Sequence, residues 1–341
     1  MKAVALTRYL PIDDPQSLQD VELALPEPGP HDLRVRVEAI SVNPVDTKVR
    51  APKPQTEAQP KVLGYDAAGV VDAVGSEVTG FAVGDAVYYA GDITRPGSNA
   101  QFQCVDARIV AKKPASLDFA QAAALPLTAL TAWELLFERM RFDAETGGKG
   151  KSLLVIAGAG GVGSIAIQLA KRAGFTVIAT ASREETIAWC RALGADHVVD
   201  HRQPLTPQLE ALGFRTIDAA LNLADTDRYW AELGELLAPL GHVGLIVEPS
   251  GLLKIGDPYK AKSIGIHWEM MFARPRFRTA DMGEQGRILA GVAELVDAGT
   301  LRGTQRETLS PINAENLREA HRRLESGATI GKLTLSGWEA A

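Results

Sequence analysis

Two periods of apolar residues divide the chain. Up to about residue 120 the apolar runs are short and rich in β-formers: Met1–Thr7, Leu33–Ser41, Ala67–Val74, Ala86–Ala90 and Gln101–Cys104. Gly and Pro punctuate them, as in Pro26-Glu-Pro-Gly-Pro30 and Val83-Gly-Asp85. That pattern predicts a compact, mostly antiparallel β-domain. Ala51–Pro60 and Asp92–Asn99 are polar and carry Pro or Gly, and are expected to be loops. From Ser116 the texture changes. Phe119–Ala124 reads as helix, Pro126 interrupts it, and Thr128–Met140 resumes it. Strands and helices then alternate. Strands are expected at Leu153–Ala157, Phe175–Ala181, His197–Val199, Ile217–Leu223, His242–Val247 and Ser263–Trp268. The intervening helices follow Val162, Arg183, Thr206 and Thr226. This alternation implies a doubly wound parallel sheet. Asp281–Ala298 and Asn313–Glu325 are amphipathic helices, with Asn313 a candidate N-cap, and Ile330–Leu335 is a closing strand with no obvious partner.

The junction at Lys151–Ser164 carries the first chemical signal. A continuous apolar strand ends in Ala157-Gly-Ala-Gly-Gly-Val-Gly163, and a helical apolar face begins at Val162. Gly158, Gly160 and Gly163 match G-x-G-x-x-G between strand and helix. In the dinucleotide fingerprint, the first glycine permits the tight turn and the second lets a pyrophosphate reach the backbone. The third lets the helix pack close to the sheet. The helix N-terminus adds free N–H groups and partial positive charge.

Composition narrows the class further. The 341 residues are 46% hydrophobic and 23% charged, with a net charge of −6. No Lys/Arg cluster suggests a nucleic-acid surface, and no apolar run approaches the roughly 20 residues of a membrane span. Two distant cysteines, Cys104 and Cys190, frame no disulfide network or four-cysteine zinc site. The N-terminus has no signal-peptide pattern, so a cytoplasmic enzyme is the expectation.

Several further pieces resemble the medium-chain dehydrogenase/reductase superfamily: Ala39-Ile-Ser-Val-Asn-Pro-Val-Asp46, Gly64-Tyr-Asp-Ala-Ala-Gly69, Leu125-Pro-Leu-Thr-Ala-Leu-Thr-Ala-Trp133 and the fingerprint. The resemblance covers nearly the whole chain. Within the superfamily it is similar to the zinc-independent quinone oxidoreductase branch. Val42–Lys48 and His267–Phe272 resemble the group labelled zinc-type alcohol dehydrogenase-like. The resemblance implies an α/β chain in two domains. A GroES-like β-domain occupies 1–125, a Rossmann domain 126–266, and a C-terminal segment 267–341 returns to the first domain. It also implies a homodimer formed through the last Rossmann strand. Aligned by motif, Asn43, Tyr65 and Leu127 stand where zinc-dependent relatives have Cys, His and Cys. Leu donates nothing to zinc, and Asn and Tyr are not usual ligands. No bound metal is expected.

The resemblance places cofactor contacts at Thr131, Gly158, Gly160, Gly161, Val162, Gly163, Thr180, Ser182, Arg183, His201 and Val247. The second strand runs into Thr180-Ala-Ser-Arg183 without the Asp or Glu that NAD-specific sites place on the ribose hydroxyls. Ser182 and Arg183 can instead bind a 2′-phosphate. NADPH is therefore the expected cofactor, although Ser182 could be only an N-cap and Arg183 a solvated residue.

With no metal, charge developing on an acceptor oxygen needs hydrogen-bond donors. The resemblance brings Asn43, Asp46, Lys48 and Tyr65 near the reaction, with Asp46 orienting its neighbours. Each has a bland alternative as a turn residue, cap, solvated lysine or core aromatic. The acceptor contacts implied are Tyr65, Ile93, Trp133, His267, Trp268 and Met271. The expected activity is hydride transfer from NADPH to a small-molecule quinone, enone or related carbonyl. A zinc alcohol dehydrogenase and a non-catalytic NADPH sensor are the alternatives.

Overall fold

The computed structural model describes residues 1–338. They form two compact units: Met1–Leu130 with the chain from Phe272 onward, and Thr131–Met271.

The first unit holds a seven-stranded sheet and a three-stranded sheet. In the larger, the path runs Gln305–Leu309, Lys332–Ser336, Asp32–Ser41, Ala67–Val74, Ala86–Tyr89 and Ala111–Lys112. Phe102–Asp106 also pairs with Asp32–Ser41. The pairings are antiparallel except between Gln305–Leu309 and Lys332–Ser336. Asp32–Ser41 shows the cause of its placement. Leu33, Val35 and Val37 point inward and are essentially unexposed, while Arg34 and Arg36 point away. Towards Ser41 the alternation disappears and every residue is buried, as expected of a strand covered on both faces.

Two expectations fail here. Ala51–Pro60 is not a loop. Lys53–Val62 is a strand at the edge of the small sheet, paired with Lys2–Tyr9. Most of its residues are exposed, so no apolar alternation marks it, and an edge position tolerates Pro54 and Pro60. The C-terminal strand does have a partner: Thr334, Leu335 and Ser336 pair with Ser41, Ile40 and Ala39. Its other neighbour, Gln305–Leu309, is too polar to read as a strand in isolation.

The second unit is a six-stranded parallel sheet. Its order is His197–Val199, Thr176–Thr180, Ser152–Ile156, Ile217–Asn222, Leu237–Leu245 and Gly265–Trp268. In chain order these are strands 3-2-1-4-5-6, the Rossmann arrangement, which binds ligands beyond the carboxyl ends of its strands. The Ser152–Ile156 strand is buried throughout and leads into the fingerprint.

The expected break before Pro126 is present: the helix Phe119–Ala123 ends, and Pro126 opens the next one, Pro126–Trp133. Its missing N–H costs nothing at the first helical position. The helix then widens into a π-type turn over Glu134–Arg139, where the Met140 amide reaches back to the Leu135 carbonyl at 3.0 Å. Phe119–Arg139 is the one stretch of described helix long and apolar enough to cross a membrane, yet 78% of its most apolar window is buried inside the fold.

The unit boundaries fall at 130/131 and 271/272, not at 125/126 and 266/267. At the first, the Leu127 amide is bonded to Asp66 of the first unit. At the second, Glu269 is held by Arg139 of the second.

Leu335 is fully buried in the first unit's core. Leu335→Ala should lower unfolding free energy by about 2–5 kcal/mol in a urea titration. A loss under about 1 kcal/mol would show that the returning strand is not packed into that core.

Candidate functional site

The fingerprint turn is built by backbone geometry. Ala157, not Gly158, takes the left-handed conformation, with φ 62°. Its amide donates to Thr180 Oγ1 at 3.0 Å, and the Gly158 amide donates to the Thr180 carbonyl at 3.2 Å. Thr180 is buried, so its hydroxyl braces the turn from the neighbouring strand. Gly158 is required by packing: a Cβ there would lie 2.8 Å from Ala179 Cβ and 3.1 Å from Cys190 Sγ.

Gly160 is the N-cap of the helix Gly161–Arg172. A Cβ on Gly163 would sit 2.4 Å from the Ala157 carbonyl oxygen and 2.7 Å from that of Gly158. Only glycine lets the helix start this close to the strand. Ser164 Oγ donates to the Gly160 carbonyl at 2.7 Å and accepts from Trp189 Nε1 at 2.8 Å, a second brace that the motif does not reveal. The amides of Gly161, Val162 and Gly163 have no partner within the helix, which is the usual provision for an anion at a helix start.

Arg183, rather than Ser182, is the N-cap of the next helix, Glu184–Ala192. Ser182 is half-buried and Arg183 exposed. Thr186 Oγ1 accepts from the Arg183 amide at 3.1 Å and donates to its carbonyl at 2.7 Å, fixing the backbone at the strand end. His201 is half-buried, and burial holds its pKa below the usual value. The charges of Arg228, Arg202 and Arg183 act in the same direction against Asp200. The structure thus gathers Arg183, His201, Arg202 and Arg228 beside the end of the second strand. Arg228 also donates to the His201 carbonyl. No sequence signal pointed to Arg228, which comes from the helix after the fourth strand. Thr131 is buried on its helix, and the Val247 carbonyl accepts from Thr226 Oγ1.

In the first unit, Asn43 and Asp46 meet a buried ion pair. Asn43 caps the helix Pro44–Arg50, and its amide donates to Asp46 Oδ2 at 2.8 Å. Asn43 Nδ2 donates to Asp66 Oδ2 at 2.8 Å and to the Tyr65 carbonyl at 3.2 Å. Lys332 Nζ donates to Asn43 Oδ1 at 2.5 Å and to the Val42 carbonyl at 2.7 Å, and lies 3.2 Å from Asp66 Oδ2. The Leu127 amide donates to Asp66 Oδ1 at 2.7 Å. Burial pushes the Asp66 carboxyl up and the Lys332 ammonium down, and each charge opposes the other's shift. Asp46 is raised to about 7, mainly by burial, with the Asn43 amide and Lys332 opposing and Asp66 reinforcing.

Tyr65 is buried, its ring edge-on to Phe272 at 5.3 Å. Burial, and secondarily Asp46, push the phenol well above its usual value, so it stays protonated. Lys48 is not drawn into this cluster and is exposed on the helix. Asp66 and Lys332 were missed. A single lysine in an apolar strand gives no pattern to read.

Residues 29–115 match the alcohol dehydrogenase GroES-like domain, and residues 193–335 match a zinc-binding dehydrogenase domain. A zinc-type alcohol dehydrogenase-like protein from Staphylococcus aureus is 41% identical over 340 residues, covering 98% of this chain and 100% of its own. The chain belongs to the medium-chain dehydrogenase/reductase superfamily. Among solved members of this oxidoreductase superfamily, a Rhizobium etli CFN 42 chain described as a zinc-dependent alcohol dehydrogenase protein superposes with a TM-score of 0.94. It is 50% identical, over 100% of this chain and 99% of that one. Escherichia coli quinone oxidoreductase, complexed with NADPH, gives 0.81 at 25% identity over 98% and 100%.

Zinc in these names does not fit the residues at the corresponding positions. Leu127 has no donor atom, and the Asn43 oxygen already accepts from an ammonium group. A metal ion there would face the fixed charge of Lys332. The dinucleotide side fits better: glycine at 163 lets the helix start close against the strand, and the first helical amides are left without intrahelical partners for an anion.

Lys332→Met should cost about 3–5 kcal/mol in urea unfolding, because it strands the Asp66 charge. Adding Asp66→Asn should recover a large part of that loss. Equal, additive losses would show that the two groups are not coupled.

Proposed function

We propose that this chain is an NADPH-dependent, zinc-independent reductase that passes hydride to a quinone, enone or related small carbonyl acceptor. The observation that carries the reading is the placing of Arg183 and Arg228 around the neutral His201 at the second strand's end, where an NAD-specific site would carry a carboxylate. Arg183 can pair with a 2′-phosphate and Ser182 can donate to it. The amides of Gly161, Val162 and Gly163 hold the pyrophosphate. The E. coli quinone oxidoreductase supports the reading, since it binds NADPH in the same fold.

The nicotinamide, when bound, supplies the hydride. The protein orients the reactants and stabilises charge on the acceptor oxygen. Tyr65 is the best donor for that oxygen: its phenol is protonated across the accessible pH range. Asn43 is committed to Asp66 and Lys332, so it serves as a fixed support under Tyr65 through the Tyr65 carbonyl. Asp46 holds the start of the helix. The final proton comes from water. The proposal extends to a homodimer formed at the Gly265–Trp268 edge, whose outer side has no strand partner within the described residues.

Purified protein should oxidise NADPH in a manner dependent on 9,10-phenanthrenequinone, with NADH a poor donor and chelators without effect. The Ser182→Ala/Arg183→Ala pair should raise KM for NADPH about 10- to 100-fold, with a much smaller effect on NADH. Equal use of both nucleotides by the wild type would sink the cofactor assignment. Loss of turnover on chelation, restored by zinc, would sink the metal-free mechanism.

A further inference from the structure

The fingerprint turn is held from outside its own motif. Trp189 lies on the helix Glu184–Ala192, and its indole Nε1 donates to Ser164 Oγ at 2.8 Å. Ser164 lies on the helix Gly161–Arg172 and is fully buried. Its hydroxyl donates to the Gly160 carbonyl at 2.7 Å, and its amide donates to the same oxygen at 2.9 Å. Chemistry fixes the direction of each bond. An indole N–H can only donate, so the Ser164 oxygen accepts from it. The one hydroxyl proton is then left for the carbonyl. A helical serine reaches the carbonyl four positions back in only some of its rotamers. Trp189 selects such a rotamer by holding the oxygen.

Holding that carbonyl fixes the amide on the far side of the same peptide. The Gly160–Gly161 bond is trans, since the cis bonds among the described residues are Asp257–Pro258 and Ser310–Pro311. In a planar trans peptide the C=O and the following N–H point in opposite directions. Two bonds from Ser164 hold the Gly160 oxygen against the helix, so the Gly161 N–H faces out of the helix start. This peptide is the soft point of the turn. It lies between two glycines, and glycine gives the least resistance to rotation of φ and ψ. The Thr180 brace acts on Ala157 and Gly158, on the strand side of the turn.

We propose that Trp189 is a positioning residue for the dinucleotide pyrophosphate: through Ser164 Oγ it sets the Gly161 amide that receives the phosphates. The role rests on the dinucleotide reading above, and it requires no contact between Trp189 and the nucleotide. Two tasks are thereby divided along one helix. Arg183, its N-cap, tells NADPH from NADH. Trp189, further along, acts on the pyrophosphate that both dinucleotides carry.

Calorimetric titration of the full-length wild type, Trp189→Phe, Ser164→Ala and the double variant tests this with NADPH, NADH and adenosine 2′-phosphate, which lacks a pyrophosphate. Trp189→Phe keeps an aromatic ring and removes the N–H. Ser164→Ala should weaken both dinucleotides about tenfold, and Trp189→Phe about fivefold. The factor should be the same for NADPH and NADH, unlike the loss expected from Ser182→Ala/Arg183→Ala. Adenosine 2′-phosphate should bind each variant within about twofold of the wild type. Because Trp189 acts on the turn through Ser164, the double variant should be no weaker than Ser164→Ala alone.

Dinucleotide affinity in Trp189→Phe within about twofold of the wild type overturns the proposal. So does an equal loss with adenosine 2′-phosphate, which marks a general loosening of the unit. Losses that multiply in the double variant overturn the route through Ser164, and the proposal with it. A wild type that binds neither dinucleotide ends the dinucleotide reading itself, and the positioning role falls too. No arm depends on turnover, so the outcome is independent of which acceptor the protein reduces.

Discussion

A buried ammonium on a buried carboxylate is the constraint on which the first unit depends. Lys332 and Asp66 are both withdrawn from water, a placement that costs several kcal/mol per ion unless each remaining donor and acceptor is met. They are met by groups from distant parts of the chain. Lys332 arrives on the C-terminal strand, Val42 and Asn43 just after the Asp32–Ser41 strand, and Leu127 at the start of the helix that leads into the second unit. One polar knot thus fixes the register of the returning strand, the cap of the Pro44–Arg50 helix and the carbonyl of Tyr65.

The fingerprint turn shows the same economy in backbone terms. Its left-handed residue is an alanine, which costs roughly 1–2 kcal/mol relative to an ordinary conformation. The Thr180 hydroxyl and the Ser164–Trp189 bridge help to hold that strain in place.

The cationic group near Arg183 and the acidic group around Arg139 are opposite solutions to charge in one parallel sheet. The first is partly solvated, with Arg202 on Asp200 and Arg228 on the His201 carbonyl. The second is sealed, and burial pushes the Glu269 carboxyl up to about 9. Solvent access decides which solution is available.

Much of the fold was legible in local pattern. The parallel sheet, its strand order of appearance, the fingerprint between strand and helix, and the Asn313 cap all follow from residues within a few positions of one another. Close approach at Gly163 was legible for the same reason: its backbone neighbours lie five and six residues away. The edge strand Lys53–Val62 and the polar strand Gln305–Leu309 were not legible, because exposed positions leave no apolar signature and pairing is decided by whatever strand lies alongside. Nor could sequence show that Asn43 would be consumed by Lys332, that Arg228 would join Arg183 and His201, or that Glu134 would meet Glu269. Those groups are separated by 289, 27 and 135 positions in the chain. Composition and periodicity are local quantities and determined the elements. The pairing of buried charges is non-local, and only the folded chain, which brings distant residues out of water together, decided it.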